Sequence, residues 1–221
     1  MGKLIVIEGM DGCGKATQTE LLAKTLRERG MDVRKLEFPR YDSDSSALVK
    51  MYLSGRFGSD PAAVNCYAAS AFYAVDRIAS YLEDWHTDYE QDKILIADRY
   101  TTSNAIYQAA KLPESERGEY LRWLFEFEYD LLGLPSPDVV VYLDMPIEVS
   151  EKLLGERYSG DESKKDIHER DVDFQRSCRN AALTCAAARG WHIIDCTLDG
   201  KLCPREDIAR DVLREVELML S

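Results

Sequence analysis

The sequence predicts an α/β fold: a single domain built on a five-stranded parallel sheet, with helices on both faces and a short lid. Three observations predict it. Short apolar stretches of strand type alternate with helical patterns along the whole chain, the order that gives a parallel sheet wrapped on both sides. The first stretch runs directly into a glycine-rich turn and then a helix. The 221 residues are 45% hydrophobic and 31% charged, which suits a globular domain with a substantial core. No repeat or linker divides the chain, so the domain is expected over 1–221.

The first strand is expected over 3–8 and the first helix over 14–28, with Leu21, Leu22 and Leu26 on one face and Gly30 as its stop. A second strand over 33–38 halts at Pro39, and a polar loop follows in which Ser45 or Ser46 can cap a short helix over 47–53. Asp60 and Pro61 open a long helical run to about residue 84. A third strand lies over 93–97, with helices over 104–110 and 114–132 after it. The fourth strand is placed at 138–143, followed by a helix over 147–156. The stretch 157–167 contains glycine and many charges but few apolar residues, as a mobile lid does. A long helix over 168–188, a fifth strand over 191–195 and a closing helix over 204–219 complete the chain. Ligands of such sheets bind beyond the carboxyl ends of the strands, so the places to look are 9–17, 38–46, 98–108 and 144–146.

Bulk properties exclude several functions. A formal net charge of −12 argues against a nucleic-acid or anionic-membrane surface, while leaving room for a small phosphorylated ligand held by a local cluster of cations. No apolar run approaches the ~20 residues of a membrane span. The chain enters a strand at once, without a signal-peptide pattern. The six cysteines show neither Cys-x-x-Cys nor zinc spacing. Most read as small buried hydrophobes in a reducing compartment, the cytoplasm by default. His86 and His192 read as structural; His168-Glu169, at the far end of the stretch 157–167, either approach a ligand there or, the favoured reading for His168, form a solvent-exposed start to the helix over 168–188.

The chemistry begins in the first turn, which runs from Gly9 through Met10, Asp11, Gly12, Cys13, Gly14 and Lys15 to Ala16 and Thr17. Gly9-x4-Gly14-Lys15 is the spacing of a phosphate-binding loop. Glycines let backbone N–H groups turn inward around an anion, the helix directs the positive end of its dipole there, and Lys15 adds a mobile charge. Cys13 reads either as an oxidation-sensitive thiol or, preferably, as a spacer in the loop whose backbone N–H does the work. The hydroxyl expected directly after the lysine to bind Mg²⁺ is missing: Ala16 stands there, with Thr17 one place late. Phe38-Pro39-Arg40-Tyr41 is either a strand end and turn or a sugar-and-phosphate contact. Asp98-Arg99-Tyr100, past the third strand, offers a metal or hydrogen-bond acceptor and a guanidinium able to grip phosphate. Tyr73 and Arg77 lie four apart and share a helix face, where they suit either a base or a core contact with a surface ion pair.

Together these segments resemble the thymidylate kinase family of phosphate-loop nucleoside monophosphate kinases. The resemblance rests on Glu8-Gly9-x-Asp11, Gly14-Lys15-x-Thr17-Gln18, Phe38-Pro39, Tyr73-x3-Arg77, Asp98-Arg99-Tyr100-x2-Ser103-Asn104-x2-Tyr107-Gln108, and Pro137-Asp138 before a strand ending Tyr142-Leu143-Asp144. It spans most of the chain, and the block from Asp98 is its most specific part. It implies the phosphate-loop kinase fold, ATP as donor, dTMP as acceptor, Mg²⁺ as cofactor and a homodimer. Lys15 and the loop would bind the ATP phosphates. Asp11 would face the acceptor phosphate and the metal, with Asp98 as a second metal contact, and Arg99 would hold the dTMP phosphate with Tyr41 or Arg40. Tyr73 would stack on thymine, Arg77 would bond O4, Asn104 the N3 side, Phe38 would pack on deoxyribose, and Tyr107 would crowd the sugar 2′ position. Ser103 belongs to the same acceptor block. Ala16, as in some bacterial members of the family, would shift metal coordination to acceptor-side carboxylates and phosphates. Because the loop lacks an arginine, a lid cation is expected from Arg157, Lys164 or Lys165. Two other readings stay open: a kinase for deoxynucleosides or other monophosphates, with Glu8 as general base if the acceptor is a hydroxyl, and a non-catalytic nucleotide-binding protein.

Overall fold

The computed structural model describes residues 1–220; of the expected domain 1–221, Ser221 lies outside them. Strands β1 (Lys3–Gly9), β2 (Val33–Glu37), β3 (Ile94–Asp98), β4 (Val139–Asp144) and β5 (His192–Asp195) form one parallel sheet in the order β2-β3-β1-β4-β5. The predicted five-stranded sheet is therefore present, with β1 at its centre. Ile5 and Ile7 pair with Ile96 and Asp98 on one side and with Val139 and Val141 on the other. β1 is buried on both faces from Leu4 to Gly9, as its continuous apolar run requires.

Alternate residues of β1 feed opposite cores. Ile5 and Ile7 join Leu22, Leu26, Val212 and Val216 beneath α1 (Lys15–Glu28) and α9 (Arg205–Leu220). Leu4 and Val6 join Leu95, Ala97, Trp85 and Tyr100 on the other face. Asp138 fastens the start of β4 to β1, accepting from the Leu4 backbone N–H at 2.8 Å and Lys3 Nζ at 2.9 Å. Arg179 of α8 (Val172–Arg189) grips Asp144 at the other end of β4 with two 2.7 Å bonds.

Several element boundaries differ from the sequence expectation. Asp60 and Pro61 open only a 3₁₀ turn, Pro61–Ala63, with Asp60 capping Ala62 N–H at 2.7 Å. Val64 and Asn65 are extended, and α3 (Cys66–Ser80) starts afresh on an Asn65 cap to Ala68 N–H at 2.9 Å. It widens into a π-turn, Tyr81–Trp85, before α4 (His86–Glu90). Near the polar loop, α2 (Ala47–Leu53) begins at Ser46 without a side-chain cap; the capping side chain is Ser43, which serves the preceding 3₁₀ turn. α5 (Thr101–Tyr107) starts earlier than expected, and α6 (Glu114–Phe125) gives way to a second π-turn, Glu126–Leu131. α7 spans Ile147–Arg157. α8 begins at Val172 on an Asp171 cap, not at His168. A hairpin of β6 (Thr197–Leu198) and β7 (Lys201–Leu202) was not expected, although Asp199-Gly200, both at positive φ, is the turn signal such hairpins use. Among the described residues no helix is long and apolar enough to cross a membrane.

Candidate active site

The carboxyl ends of β1, β2 and β3 open on a cavity of about 1170 Å³. Its floor is the turn between β1 and α1. Gly12 sits at φ 81°, and a Cβ there would come within 2.6 Å of Ser150 O on α7, so glycine is required by both conformation and space. Gly14 caps α1 in a left-handed conformation; no side chain caps the helix and its first turn carries no acid, which leaves the N–H groups available to an anion. Lys15 is buried, its Nζ donating to Gly9 O at 3.1 Å and Met10 O at 2.9 Å. Met10 contributes only backbone to the loop, since its side chain is buried with Ile106, Tyr107 and Tyr142. Cys13 is buried as well, burial pushes its thiol up, and its N–H turns to Met10 O at 3.3 Å. Ala16 and Thr17 line the cavity and are exposed.

At the cavity's inner end Asp11 meets Arg99. Arg99 Nη2 bonds Asp11 Oδ1, Tyr107 OH donates to Asp11 Oδ2 at 2.8 Å, and Lys15 Nζ stands 4.0 Å away. Burial opposes the Asp11 charge, but the Arg99 guanidinium, Lys15 and the Tyr107 hydroxyl outweigh it and hold this carboxyl well below the usual carboxylate range. Arg99 itself has φ 67°, a left-handed conformation that costs a non-glycine residue roughly 1–3 kcal/mol. The surroundings hold it there: Arg99 N–H bonds Ile7 O at 3.2 Å, and its guanidinium donates to Ser103 Oγ at 3.2 Å and lies over the Tyr107 ring. Ser103 Oγ in turn donates to Glu8 Oε1 at 2.8 Å, beside Thr102 Oγ1 at 2.7 Å and Tyr100 N–H at 3.3 Å. Glu8 is fully buried and lines neither this cavity nor the recess behind it.

That recess is lined by Phe38, Tyr41, Tyr73, Arg77, Ser103, Asn104, Tyr107 and His168, and shares Asp11, Arg99, Tyr41 and Asp166 with the larger cavity. The structure thus gathers the sequence-predicted acceptor residues around one space, with one departure. Arg40 lies outside both linings: its N–H bonds Asp76 Oδ2 at 2.8 Å and its guanidinium faces Glu83 at 3.5 Å. Of the pair left open from sequence, Tyr41 is the one at the cavity. Asp98 lines the larger cavity. So do Arg157, Lys164 and Lys165 of the stretch 157–167; Arg157 stacks on Tyr158 and Lys164 pairs with Asp161 at 3.8 Å.

His168 is a correction. It is not an exposed helix start but a buried ring, bonded through Nε2 to Tyr52 OH at 2.8 Å and stacked on Tyr107 at 5.4 Å. Burial, with Lys111 nearby, lowers its pKa to about 3, so the ring is neutral. Its neighbours Asp166 and Glu169 also line the larger cavity, Glu169 where the sequence allowed it to approach a nucleotide and Asp166 without having been singled out. Asp166 accepts from the His168 and Glu169 backbone N–H groups at 2.8 and 2.9 Å. Burial and the nearby Asp11 charge raise its pKa to about 7. The Asp-x-x-Glu spacing was a visible signal, masked by the charge of the whole lid. Glu128, the other residue missed, is fully buried and bonds Arg77 at 2.7 and 2.6 Å.

The sequence signature described as thymidylate kinase matches residues 7–207. The chain belongs to the thymidylate kinase family. It is 36% identical over 196 residues to the thymidylate kinase of Mycobacterium tuberculosis, covering 85% of this chain and 87% of that one. It is 32% identical over 188 residues to the probable thymidylate kinase of Thermococcus gammatolerans, covering 84% of each chain. With the thymidylate kinase of Thermomicrobium roseum the identity is 31% over 202 residues, covering 90% and 89%. As a thymidylate kinase family member the protein is a phosphotransferase.

Proposed function

We propose that the protein transfers the γ-phosphoryl group of ATP to dTMP, giving ADP and dTDP. The observation that carries this reading is the junction of two cavities at Asp11 and Arg99. The phosphate loop with its lid opens from one side, and a recess lined by Tyr73, Arg77 and Asn104 from the other. ATP lies along the loop, its phosphates on the α1 N-terminus and Lys15, whose ammonium exchanges two loop carbonyls for phosphate oxygens. dTMP lies with its base against Tyr73, Arg77 and Asn104, its sugar by Phe38 and Tyr107, and its phosphate on Arg99 and Tyr41. Ser103 holds the Arg99 guanidinium in place. A dTMP phosphate oxygen forms a bond to the γ-phosphorus as the bond from that phosphorus to the bridging oxygen breaks, and ADP leaves with that oxygen. Arg99, Lys15 and the lid cations Arg157, Lys164 and Lys165 neutralise the charge that spreads over the transferring group.

The donor set fits Mg²⁺. Among the described residues no three His, Cys, Asp or Glu side chains cluster as a metal site. Asp11, ionised at the cavity junction, and Asp98 supply the one or two carboxylates that Mg²⁺ uses when phosphates and water complete its shell. Asp11 and Asp98 would hold it, and the ion supplies charge neutralisation at the phosphate oxygens.

The deoxynucleoside-kinase alternative has weaker support, because Glu8, its general base, is committed to Tyr100, Thr102 and Ser103. Tyr67, Val75, Leu82 and Leu131 are exposed apolar residues on and beyond α3 and α6, and a second copy of the chain covers them in the homodimer we propose. All six cysteines are free thiols, in keeping with a reducing, cytoplasmic setting. Steady-state assays with ATP across nucleoside monophosphates test the reaction. dTMP is expected to exceed dCMP and AMP in kcat/KM by at least about 100-fold, and parity among them would discard the reading.

A further inference from the structure

Behind the base recess lies a carboxylate to which neither the motifs nor the proposed reaction gives a role. Glu128 sits in the π-turn Glu126–Leu131, fully buried, and its two oxygens take four hydrogen bonds. Oε2 accepts from Arg77 Nε at 2.7 Å and Thr101 Oγ1 at 2.7 Å. Oε1 accepts from Arg77 Nη2 at 2.6 Å and Asn104 Nδ2 at 3.1 Å. The two side chains that line the recess at the base position are thus anchored to one group behind them.

That anchoring decides what they can offer a ligand. A carboxylate only accepts, so the amide of Asn104 must turn its NH₂ toward Glu128. The same nitrogen also reaches Ser70 O at 3.3 Å, another acceptor. With both N–H directions spent, Asn104 has its Oδ1 left for a ligand, and no hydrogen bond to that oxygen exists among the described residues. Arg77 gives Nε and Nη2 to Glu128 and keeps Nη1, whose one hydrogen bond among the described residues is to Tyr100 O at 3.4 Å. A guanidinium has no acceptor. The recess therefore presents a fixed donor, Arg77, beside a fixed acceptor, Asn104.

We propose that Glu128 is the positioning residue that sets this polarity, so that the recess takes a pyrimidine edge with a carbonyl beside an N–H and refuses one with an amino group beside a bare ring nitrogen. This rests on the reading of the recess as the acceptor-base site. Thymine and uracil carry the first pattern and cytosine the second. In the wrong case, donor faces donor and acceptor faces acceptor, and both pairs are buried without partners, which is the arrangement that discriminates most strongly.

The test compares dTMP with 5-methyl-dCMP, which keeps the methyl group and reverses the edge. Wild-type protein is expected to bind dTMP at least about 100-fold tighter by calorimetry; affinities within about threefold would overturn the fixed polarity. In Glu128→Gln, whichever way the new amide turns, an N–H confronts a guanidinium N–H of Arg77, and in one orientation it also confronts that of Asn104. The ratio of kcat/KM for dTMP over 5-methyl-dCMP is expected to fall at least tenfold, through KM for the acceptor, with KM for ATP within about threefold of wild type. A uniform loss on both acceptors with the ratio intact would make Glu128 a purely structural residue and end the proposal. Should Glu128→Gln not fold, Glu128→Asp, which keeps the charge but withdraws it from Arg77 and Asn104, is read in its place: the same fall in the ratio is expected, and an unchanged ratio ends the proposal. A wild-type protein that binds the two acceptors unequally yet phosphorylates neither would refute the kinase reading and leave the polarity standing.

Discussion

Arg99 concentrates the residue-level argument. It adopts a left-handed backbone, pairs with Asp11, and receives support from Ser103 and the Tyr107 ring. Its place at the junction predicts that Arg99→Ala lowers turnover by on the order of 10²–10³-fold, while ATP affinity, read by equilibrium titration, changes less than about threefold. Equal losses in both would place Arg99 on the donor side. His168 makes a different prediction. Its pKa falls from 6.5 to about 3 on folding, so between those values the unfolded chain binds more protons and stability declines as pH drops. Asp166, raised from 3.8 to about 7, has the opposite slope: the folded chain holds the proton, and stability declines as pH rises through that window. His168→Phe keeps a ring against Tyr107 and removes only the first slope. Its melting temperature relative to wild type should therefore rise steadily from pH 6.5 to pH 4, and parallel curves would contradict the buried neutral histidine. Residue types at motif positions were legible in the sequence. The state of His168 was not, because burial here depends on Tyr52 and Tyr107, which lie far away in the chain.

Among elements, the turn from β1 into α1 is the part most completely written in local sequence. Its glycines, its lysine and its place between strand and helix all follow from adjacent residues. What the sequence did not announce is how closely α7 approaches it. Gly12→Ala would put a Cβ 2.6 Å from Ser150 O and 2.8 Å from Leu154 Cγ, at a φ of 81°. It should destabilise the fold by about 1–3 kcal/mol in denaturant melts and weaken ATP binding as α7 is pushed off the loop. Gly14→Ala meets nothing within 4 Å and should show the milder, purely conformational effect. Helix starts were the least legible boundaries. Asn65 and Asp171 cap α3 and α8, yet Asp60 and His168 offered equally good polar starts a few residues earlier. Which cap is used depends on tertiary contacts such as Ile167 N–H to Leu53 O and Tyr52 OH to Pro61 O.

For the molecule as a whole, strand count and alternation were enough to give the sheet, while its order placed β1 between β3 and β4 and so put the loop beside Arg99. Glu8 shows what that order implies. It is the penultimate residue of the central strand, runs directly into the turn toward α1 and holds the start of α5 by its side chain. The proposed donor and acceptor sites are in effect bolted to a single residue, so on that reading their spacing works as a fixed ruler, and the proposed lid from Tyr158 to Asp166 is left to adapt its distance. On binding both nucleotides, the separation of Glu8 and Tyr100 should stay constant to within about 0.5 Å while the lid approaches Lys15. A liganded structure in which α5 swings away from β1 would show that the ruler bends.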